Sequence, residues 1–119
     1  MPTQTDIETW IAAYVHAWTT ADRDDIAALF TPDAEYHEWP FETHWESRDE
    51  IVDGWLGRQQ WQEGGWTFDS SVLMITGDTA AVRGTGVYTE LGTFENLWVV
   101  TFADDGRCSV FRMWNNEAA

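Results

Sequence analysis

Cysteine is nearly absent. Cys108 stands alone, which excludes an internal disulfide and a cysteine-rich metal site. Long apolar runs are missing too, since nothing reaches the roughly 18 residues that a membrane-spanning helix needs. The N-terminal stretch MPTQTDIETW has neither the basic region nor the apolar core of a signal peptide, so the chain reads as cytoplasmic. Basic residues are scarce, with 6 Lys and Arg against 21 Asp and Glu, a formal net charge of -15. Nucleic acids and anionic membranes are held by neutralising cations, so this balance excludes both as partners. No internal repeat or low-complexity tract is visible.

What is present is aromatic. The 119 residues are 44% hydrophobic and hold nine tryptophans, enough for one packed domain spanning 1–119. A buried indole needs a partner for its N–H, so nine of them suggest that some line a cavity rather than only filling a core. The expected ligand is a small apolar or aromatic molecule.

Ile7, Trp10, Ile11, Tyr14 and Trp18 recur at helical spacing, and Thr5 with Glu8 reads as a capping box, predicting a helix over about 6–20. Asp22 caps a short second helix that turns Ile26, Leu29 and Phe30 inward. The segment TPDAEYHEWP, residues 31–40, reads as a strand. A loop, PFETHWE, leads to a second capping box at Ser47 and Glu50 and a third helix carrying Ile51, Val52, Trp55 and Leu56, closed by EGG. From Trp66 the period becomes two. Four strands are expected, at 66–76, 79–91, 93–103 and 107–116, joined by short turns. Three N-terminal helices on one face of a strongly curved, mainly antiparallel sheet make an α+β domain that encloses a pocket. The uncovered face, with Leu73, Ile75, Val87, Leu97 and Val99 pointing outward, is too apolar for water and implies a homodimer.

This order of elements resembles the nuclear transport factor 2-like superfamily, in its SnoaL-like and ketosteroid isomerase-like branches. The resemblance rests on YVHAWTTADRDDIAALFTPDAEYHEWP, residues 14–40, and TFADDGRCSVFRMW, residues 101–114. It implies a cone-shaped fold and cofactor-free proton transfer at carbon, of isomerase, cyclase or dehydratase type. It places Tyr14 where ketosteroid isomerases keep an oxyanion-binding tyrosine and Glu38 where they keep the proton-carrying carboxylate. Trp55 falls at a supporting tyrosine. Trp98 falls at a protonated aspartic acid, which an indole N–H replaces with a weaker donor. The superfamily also includes non-catalytic binders and epoxide hydrolases that use an Asp–Arg–Asp relay.

The residues themselves leave alternatives open. Strict alternation puts Ala34, Tyr36 and Glu38 on one strand face and Glu35, His37 and Trp39 on the other, while one bulge near Pro40 would swap them. A carboxylate among Trp18, Tyr36, Trp55 and Trp98 would be poorly solvated, and desolvation makes a carboxylate a keener base. On that reading Glu38→Gln would lower turnover by at least about 100-fold and would not destabilise the fold. His37 is the competing proton carrier. Asn96 shares a strand face with Trp98 and offers a donor and an acceptor at the cavity wall. On the last strand Arg112 and Trp114 alternate with Phe111, Met113 and Asn115, and one register step decides which set faces in. An inward Arg112 would pair with Glu38, and Glu90 is then the one candidate second acid for a relay. His16 reads as solvated. His37, Glu38, His44 and Glu46 do not make a metal-site spacing, so no metal and no cofactor is expected.

Overall fold

The computed structural model describes residues 2–40, 42–62 and 64–117, with only the backbone described at Gln59 and Gln62. The expected 40–46 loop includes Phe41 and the closing EGG includes Glu63. Both residues lie outside the described ones, as do Met1, Ala118 and Ala119 of the 1–119 domain.

Helix α1, Gln4–Thr20, starts two residues earlier than the periodicity suggests. Its capping box uses Thr3 and Asp6 instead of Thr5 and Glu8: the Thr3 hydroxyl accepts from the Asp6 N–H at 3.1 Å and the Asp6 carboxylate accepts from the Thr3 N–H at 2.9 Å. These bonds hold the Asp6 carboxyl below its usual range. Asp22 caps α2, Arg23–Ala27, as expected. Ser47 caps α3, Arg48–Leu56, by accepting from the Glu50 N–H, while the Glu50 carboxylate reaches the Glu46 N–H instead of closing the box.

The strands are β1, Phe30–Trp39; β2, Thr43–Trp45; β3, Trp66–Thr76; β4, Thr79–Tyr88; β5, Gly92–Phe102; and β6, Cys108–Glu117. They form one sheet in the order β2-β1-β6-β5-β4-β3. Every pairing is antiparallel except β1 with β6, which is parallel, so the sheet is mixed. Strand β2 lies where a loop was expected. Three residues are too few to show a period, and only pairing with β1 makes them a strand. The helices pack on one face of the curved sheet. Between them Trp10 is surrounded edge-on by Phe30, Trp98 and Phe102 and donates its indole N–H to the Leu29 carbonyl at 3.1 Å. Burial of each such side chain stabilises the fold by roughly 1.5–3 kcal/mol.

Two glycines admit aromatic rings against backbone. A Cβ at Gly54 of α3 would collide with the Trp45 ring, and one at Gly84 of β4 with the Phe68 ring. The uncovered face carries Trp39, Leu73, Met74, Val87, Leu97 and Trp114, all exposed. Ile75, expected among them, packs instead against the core, because a register irregularity between Val72 and Met74 shifts the alternation of β3.

Candidate functional site

Alternation holds through the second half of β1, so Ala34, Tyr36 and Glu38 turn inward and are buried. The irregularity in β1 lies between Phe30 and Glu35, not near Pro40, and leaves the end of the strand in phase. Tyr14 and Trp18 come down from α1, Asn96 and Trp98 from β5, and Met113 and Asn115 from β6. Together they bound a cavity of about 360 Å³. Four tryptophans line it: Trp18, Trp61, Trp66 and Trp98.

Glu38 is the one buried charged side chain among the described residues, with 2% of its surface exposed. It is not alone. The Arg58 Nη1 donates to its Oε1 at 2.7 Å and the Asn115 Nδ2 to its Oε2 at 3.1 Å. The Arg58 Nη2 donates to the Thr43 hydroxyl at 2.7 Å, and the guanidinium lies over the rings of Trp45 and Trp61, at 4.8 and 4.6 Å from their centroids. Cation–π contact and a shared carboxylate thus hold the arginine in one place.

Behind Asn115 runs a chain with a single direction. The Trp98 indole N–H donates to the Asn96 Oδ1 at 3.1 Å, and the Asn96 Nδ2 donates to the Asn115 Oδ1 at 2.9 Å. An indole can only donate and an ionised carboxylate can only accept, so the two ends fix the orientation of both amides between them. The chain aims its donors at Glu38, each bond polarising the next.

Facing this anionic end is a pair of hydroxyls, Tyr14 and Tyr36, 3.5 Å apart and buried. Burial, and then the neighbouring Tyr36, push the Tyr14 phenol well above its usual range; burial, and then the Glu38 charge, push Tyr36 up too. Tyr88, on the same cavity, is pushed up to about 12 by burial, with a Trp18 hydrogen bond opposing. All three therefore keep their protons at neutral pH. The contact of 3.5 Å is at the long limit of a hydrogen bond, so exchanging it for a ligand oxygen costs little.

Tyr14, Trp18, Tyr36, Glu38, Asn96 and Trp98 are thus brought together at the cavity. Four other expected residues lie elsewhere. His37 is on the opposite sheet face, bonded to Glu35 and His44. Arg112 is also on that face, with Thr101 as its partner at 3.4 Å, so it does not meet Glu38. Trp114 stacks there on Trp39, centroids 4.9 Å apart. Trp55 is inside but in the core, edge-on to Tyr14 and Trp18, and no partner for its N–H occurs among the described residues. His16 is solvated as expected, 68% exposed beside Asp25. Arg58 and Asn115 escaped the sequence reading. Arg58 follows the end of α3, where no periodicity runs, and its one signal is a rare cation between Trp55 and Trp61. Asn115 shares a parity with Phe111 and Met113, and the buried pair decides the face for all three.

Comparison with known proteins agrees with this architecture. A candidate isomerase of the SnoaL-like family from Agrobacterium tumefaciens superposes with a TM-score of 0.75 at 16% identity, covering 94% of this chain and 98% of that one. A candidate ketosteroid isomerase from Kribbella flavida gives 0.72 at 17% identity, over 98% and 82%. An LEH-like epoxide hydrolase from M. tuberculosis gives 0.63 at 18% identity, over 97% and 86%. At these identities the likeness is one of fold. No curated protein matches the sequence. The SnoaL-like domain model matches residues 11–114, nearly the whole of the helices and sheet that build the cavity, and the chain belongs to that family.

Proposed function

We propose that the protein is a cofactor-independent enzyme that moves a proton at carbon in a small apolar or aromatic carbonyl compound, as an isomerase, cyclase or dehydratase does. One observation carries this: a buried carboxylate and a pair of neutral tyrosine hydroxyls share an aromatic cavity. Glu38 takes the proton alpha to the carbonyl. The C–H electron pair moves onto the carbonyl oxygen, where the hydroxyl of Tyr14 or Tyr36 donates to the enolate. The proton then returns at the same or a conjugated carbon, leaving the enzyme unchanged. Asn96 and Trp98 position Glu38 through Asn115 and do not reach the enolate by these bonds. Arg58 fixes the carboxylate plane and neutralises its charge in the apolar surroundings.

The test is solvent deuterium entering the carbon skeleton of a panel of enones and 1,3-dicarbonyls, followed by NMR. Glu38→Gln should lower exchange by at least about 100-fold. Exchange that persists in this variant, or a panel that binds without exchanging, would reject the proposal, and the second outcome would favour a ligand-binding module. A second reading draws on the Glu38–Arg58 pair and the epoxide hydrolase neighbour: the carboxylate would activate water while a tyrosine hydroxyl protonates an epoxide oxygen. Epoxides in the same panel, with diol as the product, separate the two. We infer further that a homodimer covers the face bearing Trp39, Leu97 and Trp114, which the pairing aligns in one row across β1, β6 and β5.

A further inference from the structure

On the far side of β1 from the cavity, four side chains form a line of three contacts. His37 and His44 are direct cross-strand partners on β1 and β2. Their Nδ1 atoms are 2.7 Å apart. The His37 Nε2 lies 3.2 Å from the Glu35 carboxylate and the His44 Nε2 lies 3.0 Å from the Glu46 carboxylate. Each contact requires one proton, because a carboxylate and a bare imidazole nitrogen are both acceptors. Two neutral imidazoles carry only two. With one proton on each Nε2, two bare Nδ1 lone pairs face each other, and something positive must stand between them.

We propose that this pair is a chelate for one divalent transition-metal ion of the imidazole-preferring kind, Cu²⁺ most tightly and Zn²⁺ less so. The two carboxylates do for the rings what such partners do at metal sites generally: each fixes the tautomer that leaves the ligating nitrogen bare and makes that nitrogen a better donor. Metal–nitrogen bonds of about 2.0–2.1 Å at angles between square and tetrahedral set two ligands roughly 2.9–3.4 Å apart. The rings therefore open by a few tenths of an ångström. His44 can supply this, being 51% exposed on a three-residue edge strand. The ion takes the place between the two Nδ1 lone pairs that a shared proton would otherwise fill. Water completes the coordination, since no group of three or more metal-holding side chains occurs among the described residues. Arg112, the β6 partner of His37, is a cation on the same sheet face, and its guanidinium turns to Thr101. Glu35 and Glu46 offset it, as does the net charge of -15. The Trp39 ring stacks on His37, with centroids 5.8 Å apart.

Calorimetric titration of the intact protein with Cu²⁺, Zn²⁺, Ca²⁺ and Mg²⁺ tests the assignment. One equivalent of Cu²⁺ should bind, and Zn²⁺ more weakly. Ca²⁺ and Mg²⁺ prefer oxygen ligands and should not compete. His37→Gln and His44→Gln should each weaken Cu²⁺ binding by at least about tenfold, and Glu46→Gln, at a side chain 70% exposed where the fold is not at stake, by about tenfold. The electron paramagnetic resonance spectrum of the Cu²⁺ form should show nitrogen coupling. Cu²⁺ binding that is equally tight in the His37→Gln/His44→Gln double variant would overturn the proposal and assign the ion to the acidic surface. So would ring NMR signals that titrate with acid but ignore both metals, which would leave the pair as a shared-proton contact only.

Discussion

Glu38→Gln tests the amide chain as well as the base. Read from the sequence as a lone desolvated carboxylate, Glu38 would be replaced without harm to the fold. The structure reverses that expectation. The glutamine oxygen must face the Arg58 Nη1, so its NH₂ faces the Asn115 Nδ2, donor against donor. Turning Asn115 moves the conflict to Asn96, and turning Asn96 moves it to Trp98, whose indole cannot accept. One buried donor is therefore left unsatisfied, at a cost of about 1–3 kcal/mol. Arg58, 16% exposed, also loses its counter-charge. Breaking a buried pair costs about 3–5 kcal/mol, and the arginine's remaining contacts with Thr43, Trp45 and Trp61 put this case near the lower figure. Trp98→Phe removes the donor that ends the chain and lets both amides turn freely. In urea unfolding the double variant should therefore be more stable than the sum of the single losses predicts, by about 1–2 kcal/mol. Losses that add to within about 0.5 kcal/mol would refute the directional chain.

Arg58→Lys keeps the charge but cannot serve Glu38 and Thr43 together from one planar group, so stability should fall by about 1–3 kcal/mol in the same assay. Gly54→Ala would help an open helix by about 1 kcal/mol, but here the methyl meets the Trp45 ring, and a net loss of about 1–3 kcal/mol is expected from the thermal midpoint. Above pH 10 the unfolded tyrosines lose their protons while Tyr14, Tyr36 and Tyr88 keep theirs, so stability is fully present below pH 10 and falls between pH 10 and about 12, by up to about 1.4 kcal/mol per pH unit for each. Phenolate absorbance that rises at the ordinary tyrosine pH in the folded protein would contradict their burial. Trp114→Glu should convert the proposed dimer to monomer in sedimentation velocity, and a monomeric parent at micromolar concentration would remove the dimer.

The local patterns of the sequence decided what local physics can decide. Apolar residues at helical spacing fixed α1, and Asp22 and Ser47 fixed where α2 and α3 begin, because caps and periodicity act within a few residues. Strict alternation already put Tyr36 and Glu38 on one side of β1 and His37 on the other. The tertiary structure decided whatever required a partner distant in sequence. Three residues became β2 only because β1 offered an edge. Burial of Phe111 and Met113 turned Asn115 inward and Arg112 outward, a choice that a register step alone leaves open. Arg58, in a turn without periodicity, met Glu38 only because α3 packs over β1 and delivers the guanidinium between two tryptophans. A buried carboxylate could be located from its strand parity; the charge that balances it comes from 20 residues away and is set by packing.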